Sequence, residues 1–364
     1  MDKSNKSGAE ALIHSLHLEG VDLVFGYPGG AALHIYDAIF NQNYVDHILV
    51  RHEQGAVHAA DGYARATGKP GVALVTSGPG ATNAITGLAT AYMDSTPIVV
   101  ISGQVKSNLI GTDSFQETDM IGVSRPIVKH SFLVQKAEDI PDIVKKAFHI
   151  ATTGRKGPVV IDIPKDFTDP EYKFEFSYPS EVNMRSYNPP KGADTSRVKE
   201  AADLIATAKK PVIYSGGGVN QNNASEELTA LAKLLNFPVT NTLMGLGAFP
   251  GSDPQFMGML GMHGTYQANM AMHNADLIIA VGARFDDRIT NDPKQFALSA
   301  KKIHIDVDPA SVSKIIHADV PIVGSAKESL TALIEELKSR DLKTNESAIS
   351  EWNQQIIDWR DAHG

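Results

Sequence analysis

Short apolar, β-branched runs alternate with stretches of helical periodicity along most of this chain. Residues 21–25, 47–50, 71–76, 97–102 and 158–163 read as strands that are apolar over most of their length. Such runs, spaced by helices, predict a parallel sheet covered on both faces. The first helix is announced by Ser7 and Glu10, spaced as a capping box, and stopped near Gly20. A second opens at Gly29-Gly30 and runs to Phe40, and others cover 53–67 and 81–93.

Residues 169–192 break the rhythm. This segment, DPEYKFEFSYPSEVNMRSYNPPKG, mixes Pro, aromatics and charge and reads as a surface linker between domains. Alternation then restarts, with helices at 197–208, 225–235 and 325–338 and strands at 211–214, 238–240, 277–281 and 302–307. The expected fold class is α/β, two doubly wound parallel-sheet domains at 1–168 and 193–340. A tail, 341–364, carries Trp352, Ile356, Ile357 and Trp359 at helical spacing, with no strand after it to pack against.

At 364 residues and 42% hydrophobic, the chain is long enough for two buried cores. A net charge of -9 argues against a nucleic-acid surface, which wants a basic face. The lack of cysteine rules out disulfides, Cys-ligated zinc and thiol nucleophiles, and it suits a reducing compartment. The polar opening MDKSNKSGAE has no signal-peptide core, and no apolar run approaches the ~18 residues of a membrane helix. A cytoplasmic protein with neither membrane nor nucleic-acid partners is expected.

Candidate chemistry starts at Glu53 in RHEQGAVHAADGYARATG, at a strand-to-helix turn where ligands meet open α/β sheets. On its own, such a Glu is more simply a complement to a helix N-terminus. Two glycine turns at other strand ends change the balance. TSGPGATN lets backbone amides approach a ligand at a helix start, with Pro79 and Asn83 facing the crevice. VFGYPGG supplies the other, with Tyr27 and Gly30. Three such turns on one sheet edge favour one shared crevice.

The second domain carries YSGGGVN after a strand, and IHIDVD, a strand ending in acids suited to ribose hydroxyls. The G-x-G-x-x-G spacing of a nicotinamide dehydrogenase is absent. The 13 histidines include no pair with the helical spacing and Glu base of zinc hydrolases, so no metal ligands are assigned within the chain.

GYPGGA, RHEQGA, DGYARATG and TSGPGATN, in this order, resemble the pyrimidine-binding domain of thiamine diphosphate enzymes. GTDSFQE, GMHG and GARFDDR narrow the resemblance to the acetolactate (acetohydroxyacid) synthase large, catalytic subunit, over nearly the whole chain. The resemblance implies that Glu53 accepts a hydrogen bond from the aminopyrimidine ring and favours its imino tautomer. It implies that Phe115, Gln116 and Met262 line the substrate side, and that Arg288 clamps the carboxylate of the second 2-oxoacid. A planar guanidinium suits that role; the plain alternative is a surface Arg paired with Asp286 or Asp287. Lys165 would sit in the access channel. Lys106 stands at the channel mouth, where many members have Pro, which puts inhibitor response in doubt.

The same resemblance makes the second domain an FAD holder without net redox chemistry. Its matching contacts are Arg155, Gly216, Gly217 and Gly218; Thr242, Leu243 and Met244; and Met262, His263 and Gly264. Gly282, Arg284, Asp306, Val307 and Asp308 complete them. Gly324-Ser325 departs from the Gly-Asp usual there and weakens the last contact.

The family holds Mg²⁺ and the diphosphate with a GDG motif followed by Asn-Asn, and the chain contains no GDG. The expectation is an N-terminal part whose Mg²⁺ ligands lie in an absent C-terminal domain, with the isolated chain inactive. The full enzyme would decarboxylate pyruvate and condense it with pyruvate or 2-oxobutyrate in isoleucine and valine biosynthesis. It would work as a homodimer with a small regulatory subunit. The competing readings are a non-catalytic FAD-binding module and another thiamine diphosphate carboligase or oxidase.

Overall fold

A computed structural model of the chain describes residues 4–190 and 192–363. It divides into two compact units between Asn188 and Pro189. In the first unit the strands are β1 (Asn5–Ser7), β2 (Leu23–Gly26), β3 (Asp46–Leu49), β4 (Gly71–Val75), β5 (Ile98–Gln104), β6 (His130–Leu133), β7 (Val159–Pro164) and β8 (Lys173–Glu175). Six of them form a sheet in the order β3-β2-β4-β5-β7-β6, parallel throughout. Central strands β4, β5 and β7 are buried along their whole length. Apolar clusters cover both faces: Leu12, Ile35, Val99 and Phe148 belong to one, Val57, Leu88 and Val100 to the other.

From β2 the chain runs outward to β3, whereas from β4 it runs the other way to β5. The connections therefore part between β2 and β4, and that switch point leaves a crevice at the carboxyl ends of the strands.

The helix Gly8–Leu18 starts as expected: Glu10 N–H donates to Ser7 Oγ at 3.3 Å, and Ser7 N–H donates to Glu10 Oε2 at 2.7 Å. Ser7→Ala should lower stability by about 1 kcal/mol in urea denaturation, with helix-start amides exchanging faster. The segment read as one helix over 81–93 is two, Pro79–Asn83 and Ile85–Asp94, and the helix expected from Gly30 starts at Leu33. Residues read as a linker partly fold onto the first unit. There β8 pairs antiparallel with β1, Phe176 is buried, and the Tyr187 hydroxyl donates to Thr153 O at 2.8 Å.

The second unit contains β9 (Pro211–Ser215), β10 (Val239–Asn241), β11 (Phe256–Met259), β12 (Leu277–Val281), β13 (Lys301–Asp306) and β14 (Val320–Val323). They form a second parallel sheet in the order β11-β10-β9-β12-β13-β14, with its switch point between β9 and β12. The tail does find a partner. It forms the helix Glu346–His363, packed on the helix Tyr266–Asn274. Ile349, Trp352 and Ile356 fall on one helical face and are buried. The apolar spacing that marked the tail as helical is the face that docks it.

Candidate active site

At the switch point of the first unit, two glycine turns close on Thr76, one residue beyond β4. A Cβ on Gly29 would lie 2.4 Å from Thr76 Cγ2, and one on Gly80 would lie 2.7 Å from it. Only glycine lets both turns approach this side chain. Thr76 Oγ1 also accepts the Ala31 N–H at 3.2 Å, which ties the turn after β2 to the end of β4. Gly78, at φ 56°, lies against the backbone of Gln116, and Gly103 against that of Ala31. Sequence reasoning missed Thr76; a polar residue ending an apolar strand just before a glycine turn was its signal.

Glu53 begins the helix Glu53–Thr67 and is 9% exposed. Its Oε2 accepts Asn83 Nδ2–H at 2.9 Å. Its Oε1 lies 3.2 Å from where a Gly80 Cβ would stand and takes no hydrogen bond from the described residues. A buried carboxylate with one oxygen anchored and one available is a strong acceptor for a ring N–H.

Below it, Gly26 makes room for the Tyr36 hydroxyl and the edge of His47, whose rings meet at 5.1 Å. Burial, then the Glu53 charge, push the Tyr36 phenol well above its ordinary range, so it stays neutral beside the carboxylate. Burial lowers the His47 imidazole.

Glu53, Asn83 and Gln116 thus meet around the Gly78–Gly80 turn. Around the crevice Tyr27, Gly30 and Pro79 are exposed, and Phe115 is 87% exposed. Ser107 joins the proposed channel residues, since its N–H and Oγ–H donate to the Asp166 carboxylate at 2.8 and 2.6 Å. Lys106 and Lys165 flank that pair in sequence. Arg155 lies in the first unit, with Nε 2.8 Å from Ser95 Oγ and its guanidinium over the Tyr92 ring.

In the second unit the glycines serve backbone contact between turns. A Cβ on Gly216 would lie 2.1 Å from Gly282 O, one on Gly218 2.7 Å from Gly282 Cα, and one on Gly264 2.4 Å from Met259 O. Gly217 faces Met244. Thr242 caps the next turn through the Gly245 N–H at 2.9 Å. Beneath them, Ser215 and Asn241 are register partners at the ends of β9 and β10. The Ser215 hydroxyl and both amide atoms of Asn241 are buried without a protein partner. Unpaired polar atoms under a glycine turn at a switch point fit the polar groups of a dinucleotide-type ligand. Leu243, Met262, His263 and Arg284 are exposed there. Asp306 Oδ1 holds the Asp308 N–H at 2.8 Å and Asp308 holds Ala310 and Ser311, so these acids also shape their own turn. Val307 is half-buried between them.

Met262 N–H donates to Arg288 O at 3.0 Å, which brings these two together. Arg288 is 67% exposed and pairs with Asp287 at 3.7 Å. A pair that exposed contributes little and leaves the guanidinium available. Among the described residues no group of acids and histidines could hold a metal, and no helix is long and apolar enough to cross a membrane.

Residues 6–123 match the N-terminal TPP binding domain of thiamine pyrophosphate enzymes, and residues 198–333 match the central domain of the same enzymes. The chain is 57% identical over 354 residues to the acetolactate synthase large subunit of Haemophilus influenzae, covering 97% of this chain and 62% of that one. It is 56% identical to the Escherichia coli acetolactate synthase isozyme 3 large subunit, with the same coverage. It is 51% identical to a probable acetolactate synthase large subunit of Methanocaldococcus jannaschii, covering 96% of this chain and 59% of that one. The chain thus spans about three fifths of the length of the curated relatives it matches. With both parallel-sheet units matched, the chain belongs to the thiamine pyrophosphate enzymes, and the relatives it resembles along 96–97% of its length are acetolactate synthase large subunits.

Proposed function

We propose that this chain serves acetolactate synthesis: decarboxylation of pyruvate and condensation with a second 2-oxoacid, pyruvate or 2-oxobutyrate. The observation that carries the reading is Glu53, a buried carboxylate anchored by Asn83 with Oε1 left as an acceptor. Bound thiamine diphosphate supplies the electron sink that makes decarboxylation accessible. Glu53 holds the pyrimidine end by accepting a ring N–H, and Tyr36 stays neutral beneath it. Phe115 and Gln116 wall the substrate side. The second unit scaffolds FAD through the turns after β9, β10 and β12, with the Ser215 hydroxyl and Asn241 amide as the unsatisfied groups. The working enzyme is a cytoplasmic homodimer regulated by a small subunit.

The test replaces the matching segment of the Escherichia coli isozyme 3 large subunit with this chain and measures acetolactate formed from pyruvate. Activity that depends on Glu53 supports the reading. A folded chimera that binds thiamine diphosphate yet forms no acetolactate overturns it.

In the same chimera Arg288→Ala should raise KM for the second 2-oxoacid roughly 10- to 100-fold, the loss of a hydrogen bond to a charged group. Single-turnover decarboxylation of the first pyruvate should change little. An unchanged KM would make Arg288 a surface residue paired with Asp287.

A further inference from the structure

The loop that carries Phe115 and Gln116 is closed at its base by one side chain. Gln104, the last residue of β5, accepts the Val105 N–H at Oε1 (2.8 Å) and donates from Nε2 to Thr118 O (2.7 Å). One amide therefore grips both ends of residues 105–118. Nε2 also donates to Asp162 Oδ2 at 2.9 Å, and Asp162 Oδ1 accepts the Ser102 hydroxyl at 2.6 Å. The Gln104 amide then has its oxygen and nitrogen engaged. Flipped, its oxygen would face both the Asp162 carboxylate and the Thr118 carbonyl, so Asp162 helps to fix its orientation together with Thr118 and Val105.

Asp162 is on β7 and 1% exposed, and no cation pairs with it among the described residues. Carboxylates are seldom so buried without a paired charge. Its neighbours on β5 are the two neutral donors, and after β6 only the Val134 N–H reaches its backbone. The charged group acting on it is Asp119, of like sign.

We propose that Asp162 is a positioning residue whose protonation state sets how tightly Gln104 clamps the Phe115–Gln116 loop. Ionised, it receives charge-assisted hydrogen bonds, roughly twice as strong as neutral ones. Protonated, it turns its own O–H to Ser102 Oγ and offers Gln104 a neutral carbonyl. Burial, with Asp119 adding to it and the Ser102 and Gln104 donors opposing it, lifts the carboxyl to about 7, so the change falls near neutrality. The bearing on substrate rests on the roles proposed for Phe115 and Gln116. The clamp does not, because it can be read without substrate.

The sign of the pH effect separates this role from a purely structural one. A carboxyl raised from 3.8 to about 7 binds its proton more tightly in the folded chain, so it lowers global stability as pH rises through that window. The clamp strengthens over the top of the same window. Hydrogen exchange on the chain from pH 5.5 to 8.5, corrected for intrinsic rates, should show amides of 105–118 slowing roughly fivefold in a step near pH 7. The urea midpoint should not rise with them. Asp162→Asn, a mimic of the protonated form, should hold the loop at its low-pH protection at every pH. Gln104→Ala should leave the loop fast throughout. Ser102→Ala, which removes a donor to the ionised form, should move the step to higher pH, and it serves if Asp162→Asn fails to fold. A step that persists in Asp162→Asn, does not move in Ser102→Ala, is absent from the unmodified chain, or follows global stability overturns the proposal. None of these results depends on whether acetolactate is formed.

Discussion

Glu53→Gln is expected to lower acetolactate formation in the chimera ~10²–10⁴-fold, the range for loss of a positioned proton-handling group. Glutamine is nearly isosteric, and its amide oxygen can still accept from Asn83, so the helix start at Glu53 is retained. The atom left facing the crevice becomes an N–H donor, set against the ring N–H it should accept. Binding through the diphosphate end should persist, so the loss belongs in kcat rather than in cofactor affinity. Urea denaturation of the variant supplies a second readout, of whether the fold is retained. Activity within threefold of the parent, in a variant that stays folded, would mean that the carboxylate is present and unused.

That Glu53 was legible at all depends on where it lies. A strand-to-helix turn is visible in the pattern, and glycines in three neighbouring turns mark one edge. The glycines themselves turned out to serve two ends. Gly29 and Gly80 make room for Thr76, while Gly216 and Gly218 let the β9 turn touch the β12 turn. A sequence shows that a side chain is missing but not what fills its place. The polar residues that fasten the site were harder to see. Thr76, Ser102, Gln104 and Asp162 lie in or just beyond apolar strands and read there as interruptions. Ser102 and Gln104 meet Asp162 only because β5 and β7 are adjacent in the sheet, and Thr76 meets Ala31 only because β2 and β4 are, which are non-local facts.

The strands follow the same logic. Buried β4, β5, β7, β9, β12 and β13 announced themselves because both of their faces are covered. Edge strands β6, β11 and β14 did not, since an edge tolerates residues such as His130, Gly258 and Pro321. The break at Ala84 within 81–93 was invisible to periodicity, because both helices keep an apolar face.

The tail helix supports the largest expected effect on stability. Trp352→Ala should destabilise the second unit by about 3–5 kcal/mol, the range for removing a large buried aromatic. Trp352 is 2% exposed, meets Trp359 edge-on at 5.7 Å, and donates from Nε1 to Pro211 O at 3.0 Å. That carbonyl belongs to the first residue of β9, so the helix is fastened to the start of a central strand. The variant would leave both a cavity and a buried acceptor without its donor. Trp352→Phe keeps most of the volume and loses only the hydrogen bond, so it should cost about 1 kcal/mol plus a small packing loss. Urea denaturation measures both variants. Hydrogen exchange should place the alanine loss in β9, β12 and the helix Tyr266–Asn274, on which the tail helix packs. A loss below about 1 kcal/mol for Trp352→Ala would mean that the helix Glu346–His363 rests on the unit without holding it.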